Sequence, residues 1–569
     1  MSGRIADVLP LTPVQEGLLF HAVRDAEGPD PYLVQARFRL GPAIAADAGG
    51  VRAALNGLME RHPNLRACFR HEGLDRPVQV IPHGVAVPWA EADLTGRAAP
   101  EVASATEELL AADRVRRFDL ARPPAVRALF IRHDTGGELV LSFHHILLDG
   151  WSIPILERDL AALVTGRPLP PPVPYRQYAQ WLSRQDQGLA EAAWREALAG
   201  AERQAPLLGE GAGEGEGHGV GEGDGVDAGE PDTVRLRLTA ELTAALTRRA
   251  AETGVTLNTF TQAAWSLVLA RMTGGRDLVF GGVVSGRPHD LPGAGEMVGL
   301  FINTLPVRVR LRDGETVGEL LARIQDEQWR LVPYHHVRLT DVGLGAGGAG
   351  ELFDSVLAFE NFPRGAGQPQ GDGPDAVRVT DVRDATHYPV TLAVVAGERM
   401  LLAVSCRRGI SAAEVAARMV RAFEQLAGDP ATPVDRIDVL PREERRRLLA
   451  RSAGAEAVPV AGPATVTGRF AAQAARTPDA PAVESGDDVL TYARLAAESD
   501  RLAGRLIAAG VTAGATVALL LRRSPSLVVA QLAVLKAGAC WLPLDPAQPV
   551  ARLARLLAGA SAGLVLTEG

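Results

Sequence analysis

Residues 142–152 read SFHHILLDGWS, and this stretch decides how the sequence around it is interpreted. An apolar strand pattern ends at the adjacent pair His144 and His145, and a turn containing Asp149 and Gly150 precedes a helical pattern. Neighbouring side chains on a strand point to opposite faces, so one histidine is predicted to face the core and the other a cleft. Histidine suits proton transfer near neutral pH. Asp149 is expected to brace the turn by pairing with an arginine, and Gly150 to permit a backbone conformation that other residues resist.

The same string also has a plain structural interpretation. Both histidines would then be buried and hydrogen-bonded beside an ordinary turn, and for a single histidine this interpretation is favoured. The complete H-H-x-x-x-D-G string between a strand and a helix instead favours a catalytic role. A metal site is not predicted, because no further metal ligand clusters with the string.

The sequence on both sides of the string alternates helical and strand patterns and is predicted to form a first lobe, residues 1–185. Helices are predicted at residues 11–23, 51–61 and 152–163, and strands at residues 125–132 and 138–144. Thr12 is expected to cap the first helix, with Pro13 at its first position.

Residues 186–232 are predicted to link this lobe to a second one. Within them, glycine and acidic residues dominate 209–229, so this part cannot build a core and is expected to be disordered. The second lobe is predicted at 233–428, with a helix at 257–272 and strands at 277–284, 305–309 and 400–405. A further linker is predicted at 429–465, and a third α/β pattern at 466–569 stops before it could close a domain.

Bulk properties exclude several classes of function. The chain has 569 residues, of which 47% are hydrophobic and 22% charged, as in ordinary globular domains. The formal net charge of −9 argues against nucleic acid as a partner, because phosphate binding needs a basic surface. The sequence contains neither the ~20 apolar residues of a membrane span nor a secretory signal, so a cytoplasmic protein is predicted. Its 3 cysteines are widely separated and predict neither disulfides nor a metal site.

The string at 142–152 resembles the core motif of nonribosomal peptide synthetase condensation domains, which belong with the chloramphenicol acetyltransferase-like acyltransferases. Further elements match motifs of that family in the family order: LPLTPVQEGLLFH at 9–21, RHPNLRACF at 61–69, YRQYAQW at 175–181, VGLFINT at 298–304 and RDATHYPV at 383–390. The resemblance implies an α/β fold, with two chloramphenicol acetyltransferase-like sandwich lobes forming a V-shaped pseudo-dimer.

The resemblance also implies an activity. A carrier-bound aminoacyl amine would attack a carrier-bound peptidyl thioester, with donor and acceptor carrier domains presenting both substrates on phosphopantetheine arms. No cofactor would be bound by this chain itself. His145 would lie in the cleft, supported by His144, Asp149 and Gly150, and would either take a proton from the attacking amine or orient it. Because an α-amine titrates at about pH 8, positioning alone can supply much of the effect, and both roles stay open.

Supporting roles follow from the same resemblance. Asp149 is expected to hold the loop through Arg66, although an ordinary turn aspartate and a surface arginine fit the same residues. A substrate channel is expected to be lined by Trp151, Ser152, Ser285, Gly286 and Asn303. Trp151 is equally compatible with core packing, and Ser285 and Gly286 with a plain turn.

The last segment resembles the start of an adenylation domain, which is the predicted adjoining partner. Residues 490–495, LTYARL, and 535–545, LKAGACWLPLD, match its first two core motifs. The sequence shows neither a Ser/Thr/Gly-rich phosphate loop nor a carrier attachment motif, so this fragment is expected neither to bind ATP nor to activate an amino acid. Lys536 is expected to end a structural helix.

Two other functions are compatible with the central string. An acyltransferase acting on a free small molecule shares H-x-x-x-D, and a catalytically silent domain that recruits partners shares the wider fold. The adenylation-like tail favours an assembly-line enzyme over the first, and the intact string favours catalysis over the second. The segments TPVQEGLLFH at 12–21 and DGWS at 149–152 favour members that join a D-configured donor to an L acceptor.

Overall fold

The computed structural model describes residues 4–24, 28, 30–201, 207, 231–338, 341, 352–361, 373, 376–384, 386–407, 409–452, 463, 465–486 and 488–568. The chain divides into two compact units, Met1–Leu449 and Ala450–Gly569. The segment predicted to be disordered, 209–229, lies outside the described residues. None of the helices in the described ranges has both the length and the apolarity to cross a membrane.

The first lobe occupies the N-terminal part of the first unit. Its strands are β1 (Ile5–Pro10), β2 (Leu33–Leu40), β3 (Cys68–Arg70), β4 (Val78–Pro82), β5 (Trp89–Asp93), β6 (Val126–His133) and β7 (Gly136–His144). Its helices are α1 (Pro13–Arg24), α2 (Pro42–Ala45), α3 (Ala48–Arg61), α4 (Ala99–Arg114), α5 (Ser152–Val164), α6 (Arg176–Leu182) and α7 (Gln187–Ala197). The helices and strands predicted in this lobe are confirmed, with small shifts at their ends.

The second lobe completes the first unit. Its strands are β8 (Asp232–Arg237), β9 (Asp277–Val284), β10 (Asn303–Arg310), β11 (Ser355–Glu360), β12 (Val377–Arg383), β13 (Val390–Val395) and β14 (Leu401–Cys406). Its helices are α8 (Ala240–Thr253), α9 (Leu257–Thr273), α10 (Val317–Leu331), α11 (Ala412–Leu426) and α12 (Arg442–Ser452). Its main sheet has the order β10-β9-β11-β13-β14-β8, and its core is built around Phe260, Trp265, Phe280 and Phe423.

The main sheet of the first lobe places β7 at its centre, in the order β12-β2-β7-β6-β5. All but one residue of β7 are buried, which explains the continuous apolar run that leads to the histidine pair. His144 pairs with Leu33 of β2 and ends the strand. The sheet therefore delivers both histidines at one edge.

The edge strand β12 crosses from the second lobe to the first. It pairs antiparallel with β2, from Val377 opposite Leu40 to Arg383 opposite Gln35. The segment 377–383 was predicted within the second lobe, 233–428, and instead extends the sheet of the first. The two lobes consequently share a sheet.

The two predicted linkers are partly structured. Residues 187–197 form α7, whose Trp194 is 1% exposed and packs in one cluster with Leu305 and Val337 of the second lobe. Val434, Ile437 and Val439, which fall in the predicted linker 429–465, are buried in the core of the second lobe. Apolar side chains thus bind both segments to the lobe.

The second unit forms its own α/β structure. Its strands are β15 (Pro481–Ser485), β16 (Asp488–Thr491), β17 (Thr516–Leu520), β18 (Cys540–Leu544) and β19 (Leu564–Thr567). Its helices are α13 (Val466–Arg476), α14 (Tyr492–Ala508), α15 (Pro525–Lys536) and α16 (Val550–Gly559). A parallel sheet has the order β18-β17-β19. Lys536 ends α15 and donates to Ser499 Oγ at 2.8 Å, which gives it the structural position predicted.

Candidate active site

The two histidines occupy different environments. A 3-10 turn, His145–Leu147, follows β7, and the His145 N–H donates to the Tyr32 carbonyl at 2.9 Å. The His145 side chain keeps 14% of its surface exposed. His144 is fully buried. One ring therefore faces the interior and its neighbour reaches the surface of the site, as the strand alternation predicted.

His144 acts as a structural anchor. Its Nδ1 accepts the Ile146 N–H at 3.1 Å, which leaves the proton on Nε2, 3.4 Å from Asp30 Oδ2. Burial opposes the Asp30 carboxylate, but contacts with His144 and with the Tyr32 N–H hold the Asp30 pKa below its usual value. His144 thus fixes the start of the turn that carries His145.

The helix α1 also holds this turn. Gln15 and Thr12 exchange hydrogen bonds at its start: the Thr12 N–H donates to Gln15 Oε1 at 3.0 Å and the Gln15 N–H donates to Thr12 Oγ at 3.3 Å. Gln15 Nε2 then donates to the Ile146 carbonyl at 3.0 Å. The N-terminal motif is therefore joined directly to the histidine turn.

His145 faces the carboxylate of Asp384. Its Nε2 lies 3.4 Å from Asp384 Oδ2, and 43% of the Asp384 side chain is exposed. Burial disfavours the charged ring, but the Asp384 carboxylate outweighs it and raises the His145 pKa from 6.5 to about 9. At neutral pH the ring is therefore largely protonated and acts as a hydrogen-bond donor.

Glu360, at the end of β11, is a second carboxyl group coupled to this pair. Burial raises its pKa, and the nearby Asp384 charge adds to that effect while His145 opposes it, giving a Glu360 pKa of about 7. Three titratable groups from three segments therefore share one electrostatic environment. Two of them, Glu360 and Asp384, come from the second lobe.

Asp149 is buried in a joint between the two lobes. Its Oδ1 accepts from the Ser152 N–H at 3.1 Å, the Ser152 hydroxyl at 3.0 Å and Arg287 Nη2 at 3.1 Å. Its Oδ2 accepts from the Phe301 N–H at 3.0 Å, and its own N–H donates to the Gly299 carbonyl at 3.1 Å. These bonds dock the end of the histidine string onto the 298–304 segment of the second lobe.

The arginine that pairs with Asp149 is Arg287, and the predicted partner Arg66 is wrong. Arg287 also donates through Nη1 to the Ala294 and Met297 carbonyls at 2.5 and 2.9 Å, and its guanidinium carbon lies 3.9 Å from the centroid of the Phe301 ring. Arg66 instead lies 2.5 Å from Glu60, a residue on its own side of the first lobe. Arg287 reaches Asp149 from the turn that follows β9 of the second lobe, after Ser285 and Gly286.

Two glycines allow the joint to close. Gly286 has a φ of +60°, and a Cβ there would lie 1.7 Å from the Phe301 carbonyl oxygen. A Cβ at Gly299 would lie 2.3 Å from the Tyr175 ring, whose hydroxyl donates to the Leu300 carbonyl at 2.5 Å. Gly286 is thus required by a close backbone approach, in addition to the turn interpretation.

The predicted channel residues divide into two groups. Ser152 is fully buried and its hydroxyl is bonded to Asp149, so its predicted place on a channel wall is wrong. Asn303 is 5% exposed and donates to the His335 and Val337 carbonyls, both at 2.8 Å, which makes it a support for that turn. Ser285 is exposed after β9.

Trp151 and Gly150 lie at the partly exposed rim of the joint. Trp151 is half-buried, and the Arg287 guanidinium carbon lies 5.7 Å from the centroid of its ring. The Gly150 carbonyl accepts the Ile153 N–H at 3.2 Å at the start of α5. Their contacts with substrate stay predictions.

The sequence interpretation missed three residues of the site. Arg287 lies in the segment 285–288, which the resemblance places near the donor side of the channel, and Asp384 lies inside the matched element 383–390, but neither was given a role of its own. Residues 359–362, FENF, resemble the family segment that crosses back toward the first lobe, but Glu360 itself was given no role there. Only the fold shows that Asp384 and Glu360 approach a histidine more than two hundred residues earlier in the chain.

In the described part of the chain, no three His, Cys, Asp or Glu side chains are grouped as metal ligands would be. The site contains the imidazole of His145, the carboxyl groups of Asp384 and Glu360, and the guanidinium of Arg287. These groups can orient a nucleophile, donate hydrogen bonds to developing negative charge and exchange protons near neutral pH.

Two family models match the sequence. The Condensation domain model matches residues 5–449, and the AMP-binding enzyme model matches residues 470–569. The chain is 33% identical to surfactin synthase subunit 3 of Bacillus subtilis (strain 168) over 99% of its own length and 44% of that relative. It is 32% identical to tyrocidine synthase 2 of Brevibacillus parabrevis, again over 99% of its own length and over 16% of the relative. The chain thus spans less than half of these relatives.

Solved structures show the same fold. A four-domain nonribosomal peptide synthetase bound to AMP and glycine superposes with a TM-score of 0.66 at 18% identity, covering 100% of this chain and 44% of that one. The first condensation domain of the CDA synthetase superposes with a TM-score of 0.59 at 22% identity, covering 77% of this chain and 100% of that one. These likenesses confirm the predicted α/β class.

Proposed function

The chain belongs to the condensation domain family of nonribosomal peptide synthetases, followed by the start of an AMP-binding domain, and on that premise we propose that it forms peptide bonds between carrier-bound substrates. The observation that carries the proposal is the His145 ring, partly exposed at the end of β7 and paired with Asp384 at 3.4 Å. Its supporting loop is fixed by Asp149, so the ring has a defined position for reacting groups.

The proposed reaction is an aminolysis. The nitrogen of the acceptor amine attacks the thioester carbon of the donor, the new C–N bond forms and the C–S bond breaks. The nitrogen loses one proton and the departing thiolate gains one, so the products are an amide and a free thiol. Both substrates arrive on phosphopantetheine arms of donor and acceptor carrier domains.

His145 is proposed to orient the reacting groups as a charged donor. A ring whose pKa is about 9 holds its proton at neutral pH, and a charged donor stabilises the oxyanion of the tetrahedral intermediate better than a neutral one. An α-amine has a pKa of about 8, so a useful fraction is already neutral when it binds. Of the two roles left open by the sequence, positioning fits this charge state better than acceptance of a proton.

A reconstituted reaction tests the proposal. The purified chain is mixed with a donor carrier loaded with an aminoacyl or peptidyl thioester and an acceptor carrier loaded with an aminoacyl thioester, and products are identified by mass spectrometry. We expect an amide on the acceptor carrier. Equal or faster product formation with a free amine in place of the acceptor carrier would support an acyltransferase of small molecules instead. Absence of product with any donor would favour a recruitment domain.

The stereochemical subtype is a finer part of the proposal. We propose a D-configured donor and an L-configured acceptor, on the sequences at 12–21 and 149–152. The same assay with paired D and L donors tests this directly. Preference for the L donor would contradict the subtype and leave the peptide-bond proposal standing.

A further inference from the structure

Asp384 reaches the histidine site through the strand that crosses between lobes. β12 and β7 both run antiparallel to β2, one on each side of it, so both end at the same edge of the sheet. Arg383 of β12 and Ser142 of β7 pair with the same residue, Gln35. Asp384 follows β12 directly and therefore arrives beside the histidines that follow Ser142.

We propose that Asp384 is a positioning residue for peptide-bond formation, which fixes the His145 ring through Nε2 and so holds it at the partly exposed edge of the site, where the reacting groups meet. The inference rests on the proposed function. The geometry supplies its first support, because Nε2 lies 3.4 Å from Asp384 Oδ2. His145 Nδ1 is buried and has no hydrogen-bond partner among the described residues, so the ring depends on the contact with Asp384 for its orientation.

The strand that carries Asp384 is held at its base by ion pairs. Arg383 Nη2 lies 2.9 Å from Glu107 Oε2 of the first lobe, and Asp381 Oδ1 lies 2.8 Å from Arg235 Nη1 of β8. Neighbouring residues of β12 are thus bonded to both lobes. Asp384 itself, with 43% of its side chain exposed, faces the ring.

Charged groups reach His145 from several elements. Asp384 follows β12, Glu360 ends β11, and Asp149 lies on the loop after the histidine turn; all three carboxylates bear on the ring. Asp30 is paired with His144 on the buried side. Asp149 is already neutralised by Arg287 at 3.1 Å. Asp384 is therefore the carboxylate best placed to stabilise the charged ring.

Substitution of Asp384 tests the inference through the ring itself. The chain is labelled with ¹⁵N-histidine, the His145 signal is assigned by its loss in His145→Gln, and its titration is followed by NMR. In Asp384→Asn we expect the His145 pKa to fall by roughly two units from about 9 toward its ordinary value. Asp384→Glu should restore most of the shift. Asp313→Asn, at an aspartate between β10 and α10 whose side chain is 92% exposed, should leave the titration unchanged.

Amide formation supplies the second readout. In wild type the rate should persist until the ring loses its proton at about pH 9, whereas in Asp384→Asn the decline should begin about two pH units lower. An unshifted His145 titration in Asp384→Asn, with an active wild type, overturns this inference alone. A wild type that forms no amide overturns the proposed function and the catalytic part of the inference with it. Even in that case, the NMR titration of His145 in Asp384→Asn shows whether Asp384 contacts and stabilises the charged ring.

Discussion

Two aspartates flank the same histidine loop and have opposite surroundings. Asp149 is 1% exposed and accepts hydrogen bonds from Ser152, Arg287 and the Phe301 N–H, so all of its capacity is used inside the protein. Asp384 is half-exposed and forms an ion pair with His145. A carboxylate enclosed by donors stabilises architecture, whereas one that faces a single imidazole adjusts the charge of that ring.

The two aspartates have separate roles, although only Asp149 belongs to the string at 142–152. Asp149 belongs to the string by sequence but joins the lobes, and Asp384 lies far away in sequence but contacts the His145 imidazole. Proximity in sequence to His145 is therefore a poor guide to which residue contacts its ring. Substitution of Asp149 should therefore lower stability, whereas substitution of Asp384 should change the pH dependence.

Asp149→Ala should have the largest effect on stability. Removal of the carboxylate leaves the Arg287 guanidinium, whose side chain is 5% exposed, as a buried charge without its ion-pair partner. We expect a loss of about 3–5 kcal/mol in the free energy of unfolding of the first unit. Chemical denaturation measures it, and Arg287→Ala with the double variant should show a coupling energy above ~1 kcal/mol. If the stability losses of Asp149→Ala and Arg287→Ala were simply additive, Asp149 and Arg287 would not stabilise the contact between the lobes together.

Gly286→Ala should be the next most disruptive change. The added Cβ meets the Phe301 carbonyl at 1.7 Å in a backbone with a φ of +60°, so the joint must open. A loss of about 2 kcal/mol in unfolding free energy is expected. Gly17→Ala in α1 is the matched control, because no atom lies within 4 Å of its added Cβ. Similar stability of the two variants would show that the joint is not closely packed.

The pH dependence of the free energy of unfolding should depend on Asp384 and not on the Asp149–Arg287 pair. The folded His145 pKa is raised from 6.5 to about 9, so its contribution is complete below pH 6.5 and is lost as the pH rises through 9. Because Asp384 is half-exposed and screened by solvent, we expect at most about 1 kcal/mol over this window. Asp384→Asn should flatten the decline in a denaturation series, while Arg287→Lys should lower stability without changing its slope. An unchanged slope in Asp384→Asn would contradict the pairing.

Arg66→Met should have the smallest effect. Arg66 pairs with Glu60, whose side chain is 62% exposed, and its Nε has no hydrogen-bond partner in the described chain. Because the Arg66 side chain is only 3% exposed, an apolar side chain of similar volume removes a buried charge and should cost less than about 1 kcal/mol in the free energy of unfolding. A loss comparable to that of Asp149→Ala would instead support the partner expected from the sequence.

Much of the fold was accessible from the sequence, because apolar periodicity and capping residues are local signals. The run into His144 marked β7, and Thr12 with Pro13 marked α1. The predicted pairing of Asp149 with Arg66 is wrong because Asp149 contacts Arg287 and Phe301 of the other lobe, a contact that no local sequence pattern encodes. The same holds for Ser152, whose polarity suggested a channel but whose hydroxyl closes the joint.

The remaining parts of the site depend on chain crossing. Asp384 meets His145 because β12 leaves the second lobe and joins β2, and neither strand signals that pairing in its own residues. Glu360 enters the site because β11 ends nearby in space, not in sequence. Likewise, the sequence of α7 predicts a linker, because the residues of the second lobe that pack against Trp194 are distant in sequence.

The central claim is that the His145 imidazole acts at the place where the peptide bond forms. Single-turnover amide formation between loaded donor and acceptor carriers should fall by about 100-fold or more in His145→Ala, with unfolding and carrier binding unchanged. Asp384→Asn, measured beside it, should retain more activity at low pH than at high pH. Wild-type rates in His145→Ala, with both carriers bound normally, would contradict the account.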